Sequence, residues 1–145
     1  MKKALILGVL VVFSLFAVSS AFADKCPQPR KTKSAPAGTA RTDKTAKANA
    51  ANGEKIYMKK AKPMACQMCH GKKGDGTGKL GKAFKPPKAP RNFTCAATMK
   101  KVSAGQMFWI IKNGSKGTGM VAHKKTLKDK EIWDVVKYIR STFVK

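Results

Sequence analysis

Cys66-Gln67-Met68-Cys69-His70 is the stretch on which the reading of this chain turns. Two thiols separated by two residues and followed at once by an imidazole form a covalent attachment sequence for haem. The spacing has a physical reason. Within one turn of helix the two sulfurs reach the vinyl groups on adjacent edges of a porphyrin, and the next residue carries its imidazole under the ring toward iron. Cys66 and Cys69 are therefore the expected anchors of one covalent haem c, and His70 an axial ligand. A zinc site would want a fourth ligand and usually a second Cys-x-x-Cys; only His123 and Cys95 are spare. A thioredoxin-like dithiol would want strand-rich αβ surroundings, and the chain offers few.

Far upstream, Lys2 and Lys3 precede an almost wholly apolar run over residues 4–16, and Ala21-Phe22-Ala23 supplies a small-x-small cleavage pattern. The run is short for a membrane span. Residues 1–23 thus read as a signal peptide whose removal leaves 122 of the 145 residues, exported to the periplasm. Residues 24–50 carry Pro27, Pro29 and Pro36 among lysines, threonines and alanines, without an aromatic residue. Such a stretch buries too little apolar surface to offset its ordering entropy, and it is expected to be a basic Pro/Ala/Lys-rich flexible arm. The packed domain is expected over residues 51–145, small enough to need a staple, and a haem would also serve as apolar filler. Cys26 and Cys95 are left either as a bond tying arm to domain or as two other thiols. Export favours disulfides, but spacing does not decide.

The chain holds 31 Lys and Arg against 7 Asp and Glu; without Lys2 and Lys3 the formal charge is still +22. In a cytosolic chain that balance points first to nucleic acid. An exported chain meets little of it, so the expected partners are acidic redox proteins or an anionic membrane surface, with no nucleic acid, and the chain itself a monomer. Lysines run through the whole sequence, so solubility alone is the competing reading and no single binding stripe stands out.

Helical spacing dominates the rest. Residues 50–61 place Gly53, Ile56, Tyr57 and Lys60 on a helix that Pro63 ends. Ser103-Ala104-Gly105-Gln106 reads as a capping box opening a helix through Met107, Phe108, Trp109, Ile110 and Ile111, which stops at Asn113-Gly114. Thr126-Leu127-Lys128-Asp129 is expected to cap a last helix, where Ile132, Val135, Val136, Ile139 and Phe143 form one apolar stripe beside Trp133. A Gly/Lys/Pro-rich loop covers residues 71–94, and no segment alternates long enough for a strand. The fold class is all-α.

Taken in order, these features resemble the class I c-type cytochromes over nearly all of residues 51–145. Gly53 and Tyr57 resemble the Gly-x-x-x-aromatic of the family's first helix. Cys66 to His70 follows, then Gly71 and Gly74-Asp75-Gly76. Asn113-Gly114 and Gly117-Thr118-Gly119-Met120 look like the approach to its sixth-ligand loop, and Ile132-Trp133-Asp134-Val135-Val136 with Tyr138-Ile139-Arg140 like its last helix. The resemblance implies a small fold of three to five helices wrapped around one covalently bound haem. In it the first and last helices cross, with Gly53 and Tyr57 against residues near Val136 and Ile139. It also implies a proline carbonyl, from Pro86, Pro87 or Pro90, accepting the ring N–H of His70.

The second axial ligand has to come from Met58, Met64, Met68, Met99, Met107, Met120 or His123. Met58 and Met64 precede the attachment site, Met68 sits within it pointing away, and Met107 reads as core filler. Met120 follows a glycine-rich loop 50 residues beyond His70 and just before the last helix, where the family places its ligand, although Val121 stands where many relatives have proline. His123 is the rival, expected to be an exposed histidine on a basic loop. Arg91, Asn92 and Trp109 are candidate haem-propionate contacts, against solvated loop or core packing. With both axial positions filled, substrate has no site, and the seven carboxylates are scattered. The expectation is a periplasmic monohaem one-electron carrier between larger redox proteins. The alternatives are an electron-entry subunit of a larger oxidase or reductase complex, and a haem peroxidase or gas-binding protein with an open sixth site.

Overall fold

The computed structural model describes residues 26–28 and 32–145, so the expected signal peptide lies outside the described residues. Along them run six α-helices: α1 (Ala37–Arg41), α2 (Ala50–Lys55), α3 (Gln67–His70), α4 (Ala96–Met99), α5 (Ala104–Asn113) and α6 (Asp129–Thr142). Three of the six are five residues or shorter, so the count exceeds the expected three to five only by single turns. No strand interrupts the described residues, and none of their helices is long and apolar enough to cross a membrane.

The core is the crossing of α2 on α6. Asn49 caps α2 by accepting from the Asn52 backbone N–H at 3.0 Å. Its own N–H donates to Asp134 Oδ1 at 2.7 Å, while Asn52 Nδ2 donates to Asp134 Oδ2 at 2.8 Å. A fully buried carboxylate in the middle of α6 thus holds the start of α2. Gly53 makes the approach possible, because a Cβ there would lie 2.0 Å from the Asp134 carbonyl oxygen. The contact falls within a turn of the position that the resemblance implied. Beyond it the chain widens into a π-helical turn, Ile56–Lys60, in which Tyr57 is turned onto the rings of Tyr138 and Phe143 at 5.4 and 5.6 Å. On α6 the stripe of Ile132, Val135, Val136 and Ile139 is at most 3% exposed.

Both expected caps differ in detail. Ser103 Oγ accepts from the Gln106 N–H at 3.1 Å, but the reciprocal half of the box is absent. Gln106 Oε1 accepts from Ala35 N at 2.7 Å and its Nε2 donates to the Lys33 carbonyl at 2.8 Å. The last helix starts after Lys128, whose N–H donates to the Glu131 carboxylate at 2.8 Å, while Thr126 Oγ1 donates to the Lys62 carbonyl.

These bonds correct the flexible arm over residues 32–50. Ser103 Oγ also donates to the Ala40 carbonyl at 2.6 Å, and a Cβ at Gly105 would meet the Thr39 carbonyl at 1.9 Å, so α1 lies directly on the start of α5. A segment without large apolar side chains is ordered here through its backbone, by polar groups of α5 that composition cannot reveal. The bond between Cys26 and Cys95, Cα atoms 5.6 Å apart, secures the segment's beginning and restricts the chain entropy that ordering must overcome.

Candidate haem-binding site

The attachment sequence forms a single helical turn whose last carbonyls are capped from the loop that follows. Leu80 N donates to the Met68 carbonyl at 2.8 Å and Gly78 N to that of Cys69 at 3.1 Å. Gly81 permits this approach, since a Cβ there would sit 2.2 Å from the Cys69 oxygen. On the exit side, Gly71 adopts φ 78°, and its carbonyl accepts the buried hydroxyl of Tyr57 at 2.8 Å. The motif is therefore clamped to α2 and to its own loop.

Cys66, Cys69 and His70 all line one largely apolar cleft, which holds about 1270 Å³ of non-atom space counting its open mouth. Burial pushes the Cys66 thiol up to about 12 and raises that of Cys69, so both are thiols at neutral pH, not thiolates. His70 Nδ1 lies 3.0 Å from the Arg91 carbonyl. A carbonyl only accepts, so the proton is on Nδ1 and the Nε2 lone pair is left for a metal. Burial holds the imidazole below the ordinary histidine value, opposed by that carbonyl, which keeps the ligating neutral form. The Phe93 ring stacks on the imidazole, centroids 4.6 Å apart and planes 16° from parallel. The expected acceptors Pro86, Pro87 and Pro90 are thus corrected to Arg91, one residue beyond Pro90.

Met120 lines the same cleft and packs against the core. Its loop is built on the end of α5: Ser115 N donates to the Met120 carbonyl at 2.9 Å, Met120 N to Thr118 Oγ1 at 3.2 Å, and Gly114 turns at φ 72°. Phe84 covers Gly119, where a Cβ would strike the ring at 2.3 Å. His123 is a correction: it is 3% exposed, lines the cleft, and its Nδ1 is buried without a hydrogen-bond partner. Its lysine neighbours disguised a residue whose backbone N–H is tied to the Ile111 carbonyl at 3.0 Å, which turns the side chain inward.

Of the three candidate propionate contacts, only Arg91 reaches the cleft, and its guanidinium also donates to Gln28 Oε1 at 3.1 Å. Asn92 Oδ1 accepts from Thr94 N and Oγ1, and half-buried Trp109 does not line the cleft. Sequence reasoning missed Gln28, Phe84, Phe93 and Gln106, all on the cleft wall. They come from separate segments, and no spacing links them to the motif. The zinc alternative loses one of its two spare ligands, because Cys95 is bonded to Cys26, and no group of three or more His, Cys, Asp or Glu among the described residues could hold a metal ion.

A family profile described as cytochrome C oxidase, cbb3-type, subunit III matches residues 48–139. The chain belongs to this family. It is a class I c-type cytochrome, and membership implies covalently bound haem c. The cytochrome is similar to a chain of the Kuenenia stuttgartiensis reducing HAO-like protein complex, 29% identical with a TM-score of 0.56, over 72% of its own length and 46% of that chain. It thus spans about half of that relative. The c-type cytochrome SorU from Sinorhizobium meliloti is 21% identical with a TM-score of 0.45, over 66% of this cytochrome and 91% of SorU. No curated protein matches. The residues of this cytochrome fit the cofactor: two protonated thiols, an imidazole with its metal-facing nitrogen unprotonated, and an apolar cleft carrying one orphaned buried ring nitrogen.

Proposed function

We propose that this cytochrome is an exported, periplasmic one-electron carrier in which Cys66 and Cys69 hold a single haem c by thioether bonds and His70 and Met120 are its axial ligands. One observation carries the reading: these four side chains line the same apolar cleft. When bound, haem c supplies reversible one-electron exchange at iron. The Arg91 carbonyl fixes the orientation of His70 and makes its ring more basic. The Met120 thioether, a soft donor, favours the ferrous state and raises the potential relative to a second imidazole. Phe84 and Phe93 keep water from the cleft. Arg91 is placed to pair with a propionate through a charge-assisted bond, whereas Asn92 and Trp109, off the cleft, are not retained in that role.

The formal +22 of the chain without residues 1–23 supports acidic redox proteins as partners, steered by long-range attraction. The likeness to one chain of a protein complex favours a second reading, in which the domain is the electron-entry module of a larger assembly. The ligand set is tested by visible and magnetic circular dichroism of Met120→Ala and His123→Ala. Met120→Ala is expected to lose the sulfur-to-iron charge-transfer band, and His123→Ala to keep it. A parent that lacks this band, and whose low-spin spectrum survives Met120→Ala but not His123→Ala, would make His123 the ligand and overturn the His/Met assignment.

A further inference from the structure

Gln28 touches three consecutive residues of the loop that faces His70. Its Nε2 donates to the Pro90 carbonyl at 3.1 Å, and its Oε1 accepts from the Arg91 guanidinium at 3.1 Å and from the Asn92 backbone N–H at 3.0 Å. The last of these matters most. The N–H of Asn92 and the carbonyl of Arg91 belong to one peptide group, and that carbonyl faces His70 Nδ1 at 3.0 Å. A peptide group is planar, so fixing its N–H fixes the direction of its carbonyl. A hydrogen bond at one end also polarises the other, strengthening it as an acceptor.

Gln28 is itself held from outside the haem motif. Its backbone N–H donates to Thr98 Oγ1 at 3.2 Å, and two residues earlier Cys26 is bonded to Cys95, the residue that precedes α4. The tether and the axial histidine are therefore joined by an unbroken series: Cys95 to Cys26, Gln28, the 91–92 peptide, His70.

Resting on the proposed ligation by His70, we infer that Gln28 is a positioning residue that sets the reduction potential through the Arg91–Asn92 peptide, and that the Cys26–Cys95 disulfide holds it in place. A more strongly bound Nδ1 proton makes the imidazole a better donor, which favours ferric iron. Loss of Gln28 moves the equilibrium toward ferrous. Replacement of a residue directly bonded to a ligand typically costs 10–100-fold in metal affinity or activity. Gln28 stands one bond further out, so the expected shift is about tenfold at most in the redox equilibrium, which is 59 mV for one electron.

The test uses the full haem-loaded protein and two readouts: potentiometric titration, and exchange of the His70 Nδ1 proton followed by NMR. Gln28→Ala is expected to raise the potential and speed that exchange severalfold. Gln28→Glu keeps an acceptor for the Asn92 N–H, with added charge, and is expected to lower the potential and slow exchange. Cys26→Ser with Cys95→Ser is expected to follow Gln28→Ala. If exchange in Gln28→Ala and Gln28→Glu matches the parent, or both move it the same way, the inference is overturned; should Gln28→Ala not fold, exchange in Gln28→Glu and the double serine variant decides. A parent whose low-spin spectrum survives His70→Ala would instead sink the ligation on which the inference rests.

Discussion

Gly53→Ala puts a single methyl group into the α2–α6 crossing. The added Cβ would lie 2.0 Å from the Asp134 carbonyl oxygen and 2.4 Å from its carbon, with Tyr138 Cβ at 3.0 Å. Carbon and oxygen settle at about 3.3 Å or more, so the helices must part by roughly 1.3 Å. No side chain can rotate to make room, because the nearest atoms are backbone. Parting them also stretches the bonds from Asp134 to Asn49 and Asn52, which are 2.7 and 2.8 Å long. Overpacking of this kind costs about 1–3 kcal/mol, and the backbone contact places it at the upper end. Alanine recovers about 1 kcal/mol of helix propensity over glycine. The balance is a loss of about 2 kcal/mol, or a fall in Tm of roughly 8–16 °C for a domain near 100 residues. Thermal unfolding of the ferric protein by far-UV circular dichroism reads it. A Tm equal to or above that of the parent would show that propensity outweighs the contact, and would refute the close crossing.

Tyr57→Phe removes the hydroxyl that donates to the Gly71 carbonyl at 2.8 Å. Gly74 N still donates to that carbonyl at 3.1 Å, so the cost is about 1 kcal/mol, with a Tm fall of roughly 4–8 °C; an unchanged Tm would mean that the bond contributes nothing. Burial holds His123 below its ordinary value, so the folded state disfavours its protonated form. The unfolded state then binds more protons as pH drops through about 6.5, and stability declines from there toward the lower folded-state value. His123→Gln should flatten the slope of Tm between about pH 7 and 5, and equal slopes in parent and variant would rule out His123 as the cause.

How much of the site was legible followed from how local each part is. That Cys66, Cys69 and His70 face one cleft could be read directly, because within one helical turn sequence spacing is spatial spacing. The place of Met120 on the cleft wall was legible only by order along the chain and through the family resemblance. His123 was misjudged because lysines at 124 and 125 mark a solvated loop, although its own backbone bond to Ile111 turns it inward. Composition misjudged residues 32–50 for a related reason. It measures the apolar surface a segment can bury, not the carbonyls and N–H groups that Gln106 and Ser103 can satisfy.

By itself, the sequence determined the all-α class, the single helical turn that carries Cys66, Cys69 and His70, and the two long helices whose apolar stripes join the core. Each depends on residues a few positions apart, and helical geometry turns that separation into a known direction. Only the tertiary structure decided that Arg91 supplies the carbonyl facing His70, that Gln28 grips the same peptide from 63 positions earlier in the chain as counted to Arg91, and that Cys26 pairs with Cys95 across 69. Those are contacts of a side chain with a backbone group, or with another side chain, from a distant segment. Backbone groups are the same at every residue, so nothing in the order of side chains marks which of them will meet.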